Sequence, residues 1–334
     1  MTQGFIRGIE KGMQYHLQYR QYARPLKRPL VTAAGAWEVR RGILVRLEDG
    51  EGRAGFGEIA PLPGFGGESL EEAAGWLASL GGKWEKGGEV PEGFPCCGFA
   101  ISGAIGWMEG KFSLEGREVS LETAALLPNR EMALAQQERL LAGGYQVFKM
   151  KIGVGPPELE METAMVLASR AKLRLDGNGG LGEEDLEVWL RWMEGEGNVE
   201  FLEQPLPTGE WRAVQALAGK YGLEGKMALD EEVATTGDME RLRSLGWKGL
   251  FVMKPAIAGT ITGSPQAGVV YSSALETGIG RETALRIALG TKFALGFGVG
   301  DLFGDDGFEL HPPGSRIPVG GVGTKEMEGM WGRI

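Results

Sequence analysis

The sequence predicts an α/β protein, a parallel (β/α) barrel standing behind an α+β region. Three features carry that expectation. Eight short apolar strand candidates follow one another between residues 122 and 298. Most gaps between them hold a helical pattern, one unit every ~25 residues. Residues 1 to 65 have another texture, rich in aromatic and β-branched residues with no helical stripe.

Taken in order, Met13–Tyr22 mixes aromatic and polar residues as a strand does. Gly42–Gly50 turns at Asp49-Gly50 and returns through Gly55–Ala60 as a hairpin. Ser69-Leu-Glu-Glu72 is a capping box ahead of a short helix. The barrel strands are then expected at Glu122–Leu127, Gln146–Lys151, Lys172–Asp176, Val199–Glu203, Met227–Asp230, Leu250–Lys254, Val269–Ser273 and Phe293–Gly298. Glu183–Trp192 typifies the intervening helices. The gap between the sixth and seventh strands is short and rich in Gly and Pro, a poor place for a helix. From Asp301 onward no strong period appears, and this tail is expected to return to the first region.

Composition excludes several functions. The chain has 334 residues and a net charge of −10, with no basic block, so nucleic acid is not an expected partner. Cys96 and Cys97 are adjacent and lack metal-ligand spacing, which reads as two buried thiols in a reducing compartment. The stretch Met1–Arg7 has no signal-like apolar core, and no apolar run approaches the ~18 residues that span a bilayer. The cytoplasm is the expected compartment, with no membrane partner. Oligomeric state is not legible.

Barrel active sites lie at the C-terminal ends of the strands. Those ends carry Lys149 and Lys151, Asp176 (in Leu175-Asp-Gly-Asn178), Glu203 (in Leu202-Glu-Gln-Pro205), Asp230-Glu231, and Lys254 (in Met253-Lys-Pro255). Lys151, Asp176, Glu203, Asp230 and Lys254 succeed one another at intervals of 25, 27, 27 and 24 residues. One βα unit separates each pair, so all project to one rim. Three carboxylates with no His or Cys among them suit Mg²⁺, or Mn²⁺, better than zinc. Asp176–Gly180 is not a calcium loop, because Gly180 stands at the third ligand position and Leu181 at the obligatory glycine. Lys149 and Lys151 share one strand face. A second ammonium at about 7 Å and an effective dielectric of about 20 costs roughly 2.4 kcal/mol, which would depress the pKa of its neighbour.

Lys149-Met-Lys151, Asp176-Gly-Asn178, Glu203-Gln-Pro205, Asp230-Glu231 and Lys254-Pro255 together resemble the enolase superfamily, and within it the muconate-lactonizing subgroup. The resemblance covers nearly the whole chain. It implies a (β/α)7β barrel over residues 116–300, an α+β capping domain over 1–115, and a tail, 301–334, that completes the capping domain. Gly57–Phe65 resembles the mobile capping loop of that superfamily. Together with Ser272–Gly278 it is most similar to the o-succinylbenzoate synthase family.

That resemblance implies loss of a proton beside a carboxylate, giving an enediolate. Asp176, Glu203 and Asp230 would hold the ion, Lys151 would be the base, and Lys149 would tune it or pair with the substrate carboxylate. Lys254 would either return a proton from the opposite face or act as a cation over the ring, and both uses fit the sequence. Asn178 and Glu231 would support the ligands from behind, with structural hydrogen bonds an equal alternative. Ser272, Ser273 and Gly298 would leave room for a succinyl arm, or Gly298 would be a turn residue. The implied activity is o-succinylbenzoate synthase, with a small carboxylate as substrate. N-acylamino-acid racemase and dipeptide epimerase are the alternatives, and Gly298-Val-Gly300 lacks the acid pair of the latter. A muconate cycloisomerase is less favoured by the Ser-Ser-Ala-Leu-Glu segment. A barrel that binds Mg²⁺ and an acid without turnover is the alternative of another class, against which an intact Lys151 argues.

Overall fold

Strand propensity runs without a helical break from Gln14, and it produces two long strands, β1 (Gln14–Thr32) and β2 (Gly35–Glu48), paired antiparallel with β3 (Ala54–Ile59). The structure, a computed structural model, describes residues 14–32, 35–114, 116–117, 119–127, 130–261 and 266–334. Expectations for Met1–Arg7, for Met13 as the first strand residue and for residue 115 as a boundary fall outside the described residues. The β2–β3 hairpin forms because the Asp49 carboxylate accepts the N–H groups of Glu51 and Arg53, at 3.0 and 2.9 Å. Ser69 and Glu72 cap each other reciprocally and start α1 (Leu70–Ser79), as their spacing predicts. β4 (Lys83–Glu85) completes a sheet of order β3-β2-β1-β4. The nearly wholly apolar α2 (Pro95–Met108) lies on β3, where Gly55 and Gly57 leave room for its backbone; a Cβ at either would overlap the carbonyl of Ala104 or Ala100. Cys96 and Cys97 are buried free thiols in that helix.

The barrel follows as β6 (Ala125–Leu126), β7 (Val147–Lys151), β8 (Lys172–Asp176), β9 (Val199–Glu203), β10 (Met227–Leu229), β11 (Leu250–Met253) and β12 (Val269–Tyr271), consecutive neighbours and all parallel. Its helices are α3 (Arg130–Ala142), α4 (Pro157–Ala168), α5 (Glu183–Gly195), α6 (Trp211–Gly219), α7 (Thr236–Ser244) and α8 (Gly278–Ile287). Between β11 and β12 the described residues hold only a 3-10 turn, Pro255–Ile257, in keeping with the Gly/Pro-rich gap. α2 lies against this segment, and the Ile261 N–H donates to Ser102 Oγ at 3.1 Å.

Two strand expectations need correction. Glu122–Leu127 is divided: β5 (Val119–Glu122) pairs antiparallel with β13 (Arg316–Val319) of the tail, and only Ala125–Leu126 joins the barrel. Phe293–Gly298 forms no continuous strand. It closes the ring through single parallel bridges, Leu295 to Thr123 and Gly296 to Ser272. Glycines at 296 and 298 give the ladder no side chains to pack. The result is a (β/α)7β barrel with an α+β cap. The tail ends in α9 (Thr324–Trp331), whose Met327, Met330 and Trp331 pack with Tyr22, Leu44, Phe56 and Trp107. Arg24 on β1 binds Asp306 and Glu309 of the tail at 2.8 and 2.9 Å. Among the described residues, no helix is long and apolar enough to cross a membrane.

Candidate active site

The strand register sets the site. Lys151 on β7 stands beside Asp176 on β8, and Asp176 beside Glu203 on β9. Asp230 follows β10, and Lys254 follows β11. These ends open into a cavity of about 760 Å³, roofed by Leu62–Phe65 of the cap and walled by Leu30, Trp37, Leu126 and Leu159.

Lys149 Nζ lies 2.7 Å from Glu203 and 3.0 Å from Asp176. Burial opposes its charge, but Asp176, Glu203 and Asp230 outweigh burial and hold the ammonium well above the ordinary lysine value. The two lysines therefore do not simply repel each other: the charge of Lys149 is spent on two acids one and two strands away. Lys151 is exposed to the cavity and, among the described residues, has no ion-pair partner. Lys254 binds Asp230, and its Nζ sits 4.1 Å from the centroid of the Phe65 ring, a cation–π contact. β7 and β11 occupy the second and sixth positions of an eight-membered ring, so Lys151 and Lys254 enter from opposite sides.

Asn178 takes a left-handed backbone (φ 44°), its N–H donates to Asp176 at 3.1 Å, and its amide donates to Glu231 at 3.3 Å. It thus ties two strand ends together. Ser273 reaches the cavity wall, but its hydroxyl is engaged with Glu276 at 3.0 Å. Ser272 does not line the cavity; its hydroxyl donates to the Gly296 carbonyl across the ring closure, at 3.2 Å. Gly298 does not line it either. A Cβ there would stand 2.5 Å from the Ala124 carbonyl, so its smallness serves the close approach of the last segment to the first strand. Sequence reasoning missed Gln204, which is left-handed (φ 33°), accepts the Asp230 N–H at 3.0 Å and donates to the Leu206 carbonyl at 3.0 Å. A signal was present, a glutamine between a candidate ligand and a proline. It also missed Trp37 and Arg130, which have no local signature.

Residues 14–108 match the family described as MenC, N-terminal domain, and residues 131–270 match Enolase C-terminal domain-like. The o-succinylbenzoate synthase of Thermosynechococcus vestitus is 37% identical over 293 residues, covering 82% of this chain and 89% of that protein. The chain belongs to the enolase superfamily. It is an enzyme of that superfamily, and within it resembles the o-succinylbenzoate synthases. The crystal structure of such a synthase from Thermosynechococcus elongatus BP-1, complexed with Mg in its active site, superposes with a TM-score of 0.80 at 33% identity, over 96% of this chain and all of that one. The N-succinyl Arg/Lys racemase of Bacillus cereus shares the superfamily fold, with a TM-score of 0.71 at 19% identity over 96% of this chain and 98% of that chain.

A divalent cation fits the enolase-superfamily residues present here. Among the described residues no three acids stand gathered as a ready cage, and Lys149 and Lys254 are bonded to acids at these strand ends. The acids still crowd one another. Burial, with Asp176 and Asp230 close by, pushes the Glu203 carboxyl up to about 8 against the pull of Lys149. Glu231 Oε2 is buried with no hydrogen-bond partner among the described residues. Carboxylates that repel, and an orphaned carboxylate oxygen behind them, are what a hard cation relieves.

Proposed function

We propose that the enzyme is an o-succinylbenzoate synthase. It would carry out the Mg²⁺-dependent syn-dehydration of 2-succinyl-6-hydroxy-2,4-cyclohexadiene-1-carboxylate to 2-succinylbenzoate, in menaquinone or phylloquinone biosynthesis in the cytoplasm. The observation that carries this reading is the pair of lysines opposed across one cavity, Lys151 unpaired and Lys254 held, in a chain so similar to a curated synthase. Asp176, Glu203 and Asp230 would hold Mg²⁺, with Mn²⁺ as a substitute, and the ion when bound would stabilise negative charge on the ring carboxylate. The Lys151 amine accepts the proton from the carbon bearing that carboxylate. It then delivers a proton to the hydroxyl leaving from the same face, so that water departs and the ring becomes aromatic. Lys254, paired with Asp230, faces the opposite side of the ring. Phe65 and the apolar residues Leu30, Trp37, Leu126 and Leu159 line the space that the ring would fill.

The test is ultraviolet monitoring of the cyclohexadiene acid with and without Mg²⁺, beside polarimetry on N-succinyl amino acids. Metal-dependent loss of the diene signal is expected. Racemisation without diene loss would overturn the synthase in favour of a racemase.

The substrate carries a second carboxylate on its succinyl arm, and a cation remains for it. Of the four cationic side chains lining the cavity, Lys149 and Lys254 are bonded to acids and Lys151 is assigned to proton transfer. Arg130, half-buried at the start of α3, has no ion-pair partner among the described residues. Arg130→Gln is expected to raise KM by about 10-fold or more with little change in kcat, the scale of a charge-assisted hydrogen bond. An unchanged KM in steady-state kinetics would remove Arg130 from substrate binding.

A further inference from the structure

Arg40, on β2, is buried and carries no carboxylate partner among the described residues. A buried guanidinium demands that every N–H be satisfied, and here main-chain oxygens do it all. Nη1 donates to the carbonyls of Arg41 and Pro61, at 2.9 and 2.7 Å. Nη2 donates to Ala60 and Ala274, at 2.6 and 3.0 Å, and Nε to Leu275 at 3.3 Å. Four of the five acceptors belong to two segments that wall the active cavity. Ala60 and Pro61 lead into the strap whose Leu62 and Phe65 roof it, and Ala274 and Leu275 belong to the loop after β12 that places Ser273 and Leu275 in it. Arg24, buried on the neighbouring strand and opposite Arg40 in the ladder, differs: it is paired with the carboxylates of Asp306 and Glu309.

We propose that Arg40 is a positioning residue that registers the strap, residues 60–68, against the seventh barrel loop, residues 273–276, and so holds Phe65 over Lys254. Both halves of that joint are otherwise built to receive it. The strap is tied at its far end, where the Glu68 carboxylate accepts the N–H groups of Cys96 and Cys97 at 3.2 and 2.7 Å. Just before it, Glu58 accepts the Thr277 N–H at 2.9 Å. Between the ties, Gly64, Gly66 and Gly67 hold left-handed backbone, at φ 90°, 75° and 79°. On the barrel side, Leu275 holds a left-handed backbone (φ 61°), a conformation that a leucine rarely adopts without support. Its N–H donates to Ser273 Oγ at 2.9 Å, and its carbonyl is one that Arg40 takes. Five acceptors, four of them spread over both segments, match the planar five-donor fork of arginine; a lysine ammonium has three donors on a point charge.

This inference rests on the cavity and not on which substrate fills it, so hydrogen exchange tests it without any assay. In Arg40→Lys, amide exchange at residues 62–68 and 275–277 is expected to quicken by about 10-fold or more, while the amides of β8 and β9 keep wild-type protection. Whatever reaction the enzyme catalyses, kcat/KM is expected to fall by up to about 10²-fold, the scale of a misplaced site wall. If Arg40→Ala folds, added methylguanidinium should restore part of that loss. Phe65→Leu, which leaves the joint intact, should lower kcat/KM with no change in exchange at 275–277. Wild-type exchange in Arg40→Lys, or an equal loss of protection throughout the barrel, would overturn the proposal. The first would mean that the bonds hold nothing, the second that Arg40 serves stability alone.

Discussion

Lys151→Ala is expected to lower kcat by about 10²–10⁴-fold, the range that a positioned general base supplies, while leaving product affinity within a few-fold of wild type. The structure makes this lysine unlike the two others at the mouth. Lys149 is held by Asp176 and Glu203, and Lys254 by Asp230, so neither presents a free amine to a substrate. Lys151 lines the same cavity and, among the described residues, has no ion-pair partner. Its removal takes away no support from the acids and should not disturb whatever they hold. Arg in its place would keep the charge but would not accept a proton at any working pH, so Lys151→Arg is expected to be as slow as the alanine variant. Single-turnover rates give the kcat effect, and calorimetric binding of 2-succinylbenzoate gives the affinity. A Lys151→Ala enzyme within threefold of wild-type kcat would move the base elsewhere, and Lys254 would be the next candidate.

What the sequence made legible, and what it hid, divides along a physical line. Lys151, Asp176, Glu203, Asp230 and Lys254 were legible because each ends a strand one βα unit after the last. In a parallel sheet with consecutive neighbours, equal spacing along the chain becomes adjacency in space, as the Lys151–Asp176–Glu203 register shows. The partner of Lys149 was hidden although all its neighbours were named. Reading along one strand finds the lysine two residues away, whereas the decisive charges stand on the next two strands. Ser272 follows β12 as expected, but Gly298 ends no strand, and the atoms of both face the ring closure, which only the Ser272–Gly296 and Ala124–Gly298 approaches reveal. Arg40 and Trp37 were not legible at all. Arg40 is recognised by carbonyl oxygens, which every residue carries, so nothing in the side-chain pattern of residues 60–61 or 274–275 points back to it.

The shared carboxylates imply a second large effect, on stability. Lys149→Met should strip Asp176 and Glu203 of their counter-ion in the metal-free enzyme, with Glu203 almost wholly buried. Breaking a buried pair from one side costs about 3–5 kcal/mol, because the remaining charge has lost its partner. Mg²⁺ that binds the native state alone stabilises it by about 2.7 kcal/mol at a hundred times its Kd. At the proposed site it would also bring charge to the carboxylates that Lys149 neutralises. The deficit of Lys149→Met, measured by urea unfolding in the presence of chelator, is therefore expected to shrink in saturating Mg²⁺ and not to persist unchanged. The sign follows from charge count. In wild type the ion meets acids already partly compensated by Lys149, whereas in the variant it meets them bare, so the variant should gain more stability from the ion and bind it more tightly. An equal deficit with and without Mg²⁺ would mean that lysine and metal do not share Asp176 and Glu203. A wild-type enzyme that gained nothing from Mg²⁺ would mean that these acids are not where the ion sits.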